Sequence, residues 1–170
     1  VAETGSTFIE NALIKARHAA AHTTMACVAD DSGLVVPALR GAPGIYSARY
    51  AGPHADSKAN MQKLLEALAG LEGKDRSAHF YCAMVCLTSA EDPAPLVATG
   101  VWHGHILASP QGDGGFGYDP VFAVTAIDAP GPQRSAAEMS ATEKVRHSHR
   151  GKALRSLVKL VNAAHDPNLK

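Results

Sequence analysis

The first strong pattern in the chain is a helix start. Thr7 followed by Glu10 forms a capping box, and Ile9, Leu13, Ala16 and Ala20 recur at helical spacing behind it. The spacing predicts an amphipathic helix of about 15 residues. Residues 25–29 form a short apolar run that fits a buried strand. Asp30-Asp31-Ser32-Gly33 then read as a turn, and 34–39 as a second strand, with Pro37 marking a sheet edge. Residues 41–53 are rich in Gly, Pro and Tyr and read as a loop.

Asp56 or Ser57 opens the next helix, with Leu64, Leu65 and Leu68 inward and Gly70 near its end. Residues 78–88 and 96–106 are the two longest strand candidates, and the short connection 89–95 predicts a hairpin between them. A glycine-rich loop at 112–120 precedes a short strand at 121–124. Ser140 and Glu143 make a second capping box over a short helix. Ser148 leads into a final helix with Leu154, Leu157, Val158 and Val161 on one face. Helices mixed with hairpin-like strands predict an α/β or α+β fold on a mixed sheet. No repeat and no long linker divides the chain, so residues 1–170 read as a single domain.

Composition narrows the class. With 170 residues, 46% hydrophobic and 19% charged, the chain has the material for a packed core and lacks the signature of disorder. Sixteen basic residues balance sixteen acidic ones, which argues against nucleic-acid binding and a polybasic membrane contact. The balance is uneven along the chain. Residues 61–132 hold three basic against eight acidic side chains, whereas 133–170 hold eight against three. That basic segment reads as a solvated helix or as a site for an anion. Cys27, Cys82 and Cys86 lack CxxC spacing and lie in or beside apolar strands, which predicts free thiols in a cytoplasmic protein. The longest uncharged run, 93–112, carries two His and several Gly and Pro and is a poor membrane span.

Three constellations could carry chemistry. Asp30 and Asp31 suit a hard divalent cation, one carboxylate binding the ion while the other orients water, or they are ordinary turn residues. Gly112, Gly114 and Gly117 literally match a dinucleotide fingerprint. An apolar strand rather than a helix follows, however, so that reading fails. There remains a pliable backbone carrying Phe116 and Tyr118, suited to stack on a flat ring or simply a structural loop. Lys144 and the segment His147-Ser148-His149-Arg150-Gly151 place positive charge at a helix start, where backbone N–H groups favour anions. The His-x-His pairs here and at His103/His105 have no third ligand in view to make a metal site. No nucleophile elbow is present, and Trp102 reads as a core or dimer contact.

At this point the sequence resembles the inosine triphosphate pyrophosphatase family. The motifs that carry the resemblance are residues 3–12 (ETGSTFIENA), 29–34 (ADDSGL), 41–50 (GAPGIYSARY), 114–122 (GGFGYDPVF) and 148–151 (SHRG), in family order. The resemblance implies a homodimeric α/β fold: a long mixed central sheet with flanking helices in two lobes and the nucleotide in a cleft between them. It implies Mg²⁺-dependent cleavage of ITP, dITP and XTP to the monophosphate and pyrophosphate. Asp31 would be the catalytic carboxylate. Glu3 and Asp31 would hold the metal with Asp30 close by, and Ser32 would touch the substrate. Phe116, Gly117, Tyr118 and Asp119 would line the base slot, while Lys144, His149 and Arg150 read the purine.

The family begins with a strand and a Ser/Thr-Gly-Asn-x-x-Lys loop that this sequence, opening at Val1, does not contain. The expectation is therefore an N-terminally incomplete domain, short of one strand and part of its phosphate site. Two other readings stand beside this one: a pyrophosphatase of modified pyrimidine nucleotides, and a nucleotide sensor without turnover.

Overall fold

The computed structural model describes residues 1–124 and 132–165. Its elements are helix α1 (Phe8–Ala20), strand β1 (Cys27–Val35), helix α2 (Ser57–Ala67), strands β2 (Ser77–Leu87), β3 (Leu96–Ile106) and β4 (Phe122–Ala123), and helices α3 (Ala141–His147) and α4 (His149–Ala164). Short 3₁₀ turns fill several of the connections. Among the described residues the strands form one four-stranded antiparallel sheet in the order β1-β2-β3-β4. Neighbours in sequence are thus neighbours in space, and the crossover that a mixed sheet requires does not occur among these strands.

The acidic stretch corrects the sequence reading. Asp30-Asp31-Ser32-Gly33 is no turn; β1 runs straight through it. Pairing with β2 overrides the turn preference of Asp, Ser and Gly, because strand propensity is set mainly by neighbours. The second strand at 34–39 is accordingly absent, and Pro37 begins a 3₁₀ turn, Pro37–Leu39, where its fixed φ is suitable.

The chain folds as two compact units, and the first three strands each contribute residues to both. The first unit comprises Val1–Ser32, Tyr81–Val101 and His147–Lys170. In it α1 starts on the predicted capping box: Thr7 Oγ1 accepts from Glu10 N–H, and the Glu10 carboxylate accepts from Thr7 N–H. Its buried stripe is Ala12, Ala16 and Ala20 with Asn11, one step round the helix from the predicted Ile9 and Leu13. Those small side chains let α1 settle on Ala83, Val85 and Leu87 of β2. α4 lies against the other face of the same strands. Gly100 of β3 meets it so closely that a Cβ there would strike the His149 carbonyl and the Ala153 N–H. α4 buries His149, Gly151, Ala153 and Leu157, whereas Leu154 and Val158, predicted inward, are about half exposed. Side-chain volume explains the shift on both helices, since close approach to the sheet favours Ala and Gly over Leu.

The second unit comprises Gly33–Phe80 and Trp102–Arg146. Its core gathers Leu34, Val36, Leu64, Leu68, Phe80, Trp102, Ile106, Val121 and Phe122. Trp102 is thus a core residue, with its ring 5.3 Å from Phe122 and 6.2 Å from Phe80. α2 takes Asp56 as its N-cap, and its far end is closed by Arg76. The Arg76 guanidinium donates to the carbonyls of Leu68, Leu71, Ile106 and Leu107, tying that helix end to the end of β3. β4 pairs antiparallel with β3, Ile106 opposite Phe122, and thereby fixes where the glycine-rich loop between them begins and ends.

Candidate active site

The first group of candidate residues lies within the first unit. The capping box sets the start of α1, and two helical turns on this places Lys15 next to Asp31 of β1. Lys15 Nζ donates to Asp31 Oδ1 at 2.7 Å and to Glu3 Oε1 at 3.1 Å, so one ammonium is shared by two carboxylates. Asp31 is 8% exposed, and its second oxygen, Oδ2, is buried without a hydrogen-bond partner. Burial raises the Asp31 carboxyl above its ordinary range, and the nearby Lys15 opposes that rise. Lys15 in turn keeps its proton strongly; burial works against it, but Asp31 and Glu3 outweigh burial. Asn11, one turn before Lys15 on α1, is fully buried with its Nδ2 likewise unpartnered.

Successive side chains of a strand point to opposite faces, so Asp30 and Asp31 part company. Asp31 faces α1. Asp30 faces α4, where its Oδ2 accepts from Arg150 Nε at 3.1 Å and lies 3.1 Å from Arg150 Nη2. Cys82 Sγ approaches the same oxygen at 3.9 Å. Burial, then Asp30, push the Cys82 thiol up to about 12, so it remains protonated. Ser32 follows on β1, half-buried, on the face of Asp30. Ser148 caps α4 by accepting from Gly151 N–H, which sets His149 and Arg150 in the first turn; His149 is buried and Arg150 half exposed.

The second group lies within the second unit, on the glycine-rich loop. Phe116 is 68% exposed, while Tyr118, two residues on, is 4% exposed. Tyr118 does not present a stacking face: its hydroxyl donates to the Ser47 carbonyl at 2.9 Å and pins the loop to the 3₁₀ turn Gly44–Arg49. Asp119 Oδ2 accepts from Phe116 N–H at 2.9 Å and from Lys144 Nζ of α3. The Lys144 ammonium also lies 5.7 Å from the Phe116 ring centre. Gly115 has φ +76°, and a Cβ there would meet both the Asp119 carboxylate and the Lys144 ammonium. Gly117, at φ +61°, has open space around its Cα. An exposed ring, an ammonium and a carboxylate are therefore held together by a loop only glycine can build.

The structure thus joins Glu3 with Asp31, Asp30 with Arg150, and Phe116 with Asp119 and Lys144. Sequence reasoning missed Lys15, whose signal was its i, i+4 spacing from Asn11 beside an alanine stripe. It also missed Ser47, which lay in the quoted 41–50 segment without a role.

A divalent ion fits the first group. The orphaned Asp31 oxygen and the sharing of one cation by Glu3 and Asp31 are what a Mg²⁺ site of one or two carboxylates, completed by water and phosphate, requires. Among the described residues no three His, Cys, Asp or Glu side chains converge as a ready-made cage.

The sequence matches the Ham1 family across residues 1–160. The chain belongs to the Ham1 family. Within it, a dITP/XTP pyrophosphatase of Idiomarina loihiensis is 55% identical over 156 residues, which is 92% of this chain and 75% of the relative. A solved structure of a HAM1 protein from Coxiella burnetii superposes with a TM-score of 0.87 at 50% identity, over 96% of this chain and 80% of that one. A nucleoside-triphosphatase, dITP/XTP pyrophosphatase, from Mycobacterium abscessus gives 0.74 at 44% identity, over 100% and 79%. Ham1 membership thus rests on sequence and on fold together, and the α/β architecture is that of the Ham1 structures.

Proposed function

We propose that this chain hydrolyses non-canonical purine nucleoside triphosphates, dITP, XTP and ITP, to the monophosphate and pyrophosphate. The observation that carries the reading is Asp31, a buried carboxylate with one oxygen on Lys15, the other unpartnered, and Glu3 sharing the same lysine. The names of the relatives at 50–56% identity, dITP/XTP pyrophosphatases, support dITP and XTP among these substrates.

Glu3 and Asp31 would hold Mg²⁺. When bound, the ion neutralises phosphate charge and lowers the cost of forming the nucleophile. Asp31 orients the attacking water and takes its proton at the carboxylate, for which burial makes it a better base than a solvated aspartate. Lys15 holds Asp31 and Glu3 in place and supplies positive charge beside the phosphates. Ser32 donates to the substrate from β1.

At the purine end Phe116 stacks on the ring. Lys144, fixed by Asp119, donates to O6, and the resemblance assigns His149 and Arg150 to the purine as well. Gly117 and Tyr118 shape the slot, Tyr118 through its anchor on Ser47. Adenine would set its amino group against these donors and leave polar groups unpaired, which costs a few kcal/mol. The resemblance places residues 1–170 within one catalytic domain that works as a cytoplasmic homodimer.

The test is pyrophosphate release. The full-length protein is expected to release pyrophosphate from dITP and XTP and not from dATP, and orthophosphate as the product would overturn the reading. Asp31→Asn is expected to lower kcat by at least about 10²-fold while inosine monophosphate still binds. Retained turnover would remove Asp31 from its role.

A further inference from the structure

Asp30 and Asp31 are adjacent in sequence, and the resemblance groups both at the metal. The geometry separates them. Only Asp31 shares Lys15 with Glu3; Asp30 stands on the opposite face of β1 and holds two nitrogens of the Arg150 guanidinium on a single oxygen. We propose that Asp30 is a positioning residue for the base, acting through Arg150, and not a ligand of the metal. The proposal rests on the assignment of Arg150 to purine recognition.

An arginine side chain has four rotatable bonds, and ordering it costs rotamer entropy. Arg150 sits in the first turn of α4 with its side chain about half exposed. The contact to Asp30 through Nε and Nη2 fixes the guanidinium plane before substrate arrives. The positioning carboxylate is itself well placed for this task. β1 holds its backbone in a paired strand, and the Cys82 thiol approaches the same oxygen from β2. The alternation of the strand therefore divides two neighbouring acids between two duties. Asp31 serves the phosphates on the α1 face, and Asp30 orients a base-reading group on the α4 face.

The two assignments of Asp30 differ in what they move. A metal ligand alters the half-saturating Mg²⁺ concentration and kcat. A positioning residue alters KM for the base and acts only while Arg150 is present. Steady-state pyrophosphate release from ITP and dATP, with Mg²⁺ titrations, is measured for the wild type, Asp30→Asn, Asp30→Glu, Arg150→Ala and the double variant Asp30→Asn/Arg150→Ala.

Asp30→Asn is expected to raise KM for ITP by about threefold to tenfold, the range for a partly exposed charge pair that orients a binding group. It should also narrow the ITP-over-dATP preference, with kcat and the Mg²⁺ midpoint unchanged. Asp30→Glu should restore part of the KM, and Asp30→Asn should add nothing in the Arg150→Ala background. A raised Mg²⁺ midpoint, additive effects in the double variant, or an unchanged KM in Asp30→Asn beside a raised KM in Arg150→Ala would each overturn the proposal alone. An unchanged KM in Arg150→Ala would remove the assignment of Arg150 as well, and this inference with it. Thermal unfolding of each variant shows whether a loss is one of folding.

Discussion

Residue-level chemistry here turns on which neighbour each side chain meets. Asp31 meets Lys15 and Glu3, Asp30 meets Arg150, and Phe116 stays exposed while Tyr118 is tethered through its hydroxyl to Ser47. None of these choices is visible in the residue types. Two aspartates in a row carry no label saying which one a helix will cover, and Phe and Tyr in one glycine loop look like interchangeable stacking rings. Gly115 is the clearest single-residue prediction. Its φ of +76° is strained for any L side chain, and a Cβ would press on the Asp119 carboxylate and the Lys144 ammonium. Gly115→Ala is expected to cost about 1–3 kcal/mol in stability and to raise KM for dITP and XTP more than it lowers kcat. Denaturant unfolding and steady-state kinetics would check this, and an unchanged KM would dissociate the loop geometry from base recognition.

Elements were largely legible. Both capping boxes, the Asp56 and Ser148 caps, the hairpin strands and the order of helices follow from local signals, because a cap needs only residues within one turn. The errors were of packing. The acidic stretch of β1 carries turn residues yet pairs as a strand, and on the expected apolar faces of α1 and α4 Ala16, Ala20 and Leu157 are buried while Ile9, Leu154 and Val158 stay outward.

Glu143 accepts from Ser140 at the start of α3 and pairs with Arg134, and these contacts, Arg134 first, hold its carboxyl at about 2 against an ordinary 4.5. A depressed carboxyl stabilises the fold above its unfolded value and loses that effect as pH falls toward the folded value. Glu143→Gln is therefore expected to lower Tm near neutral pH. The gap to wild type should close between about pH 4.5 and pH 2, as followed by thermal unfolding. A gap independent of pH would mean that the contacts do not act through charge.

For the whole molecule, family membership implies a metal-dependent reaction and sets the last prediction. Chelation of divalent ions is expected to abolish pyrophosphate release, and Mg²⁺ should restore it. Mg²⁺ with inosine monophosphate should raise Tm, by about 2.7 kcal/mol of added stability at a hundredfold excess over Kd. A Tm indifferent to the pair would count against the carboxylate group as a metal site. The sequence by itself determined the family, through five motifs in order, and the start and stop of most elements. Both are properties of residues close together along the chain. The tertiary structure alone decided that Asp30 and Asp31 work on opposite faces, that Lys15 links Glu3 to Asp31, and that Tyr118 anchors rather than stacks. The physical reason is that such roles depend on partners up to 120 residues away, brought together only when β1 pairs with β2 and the helices cover its two faces.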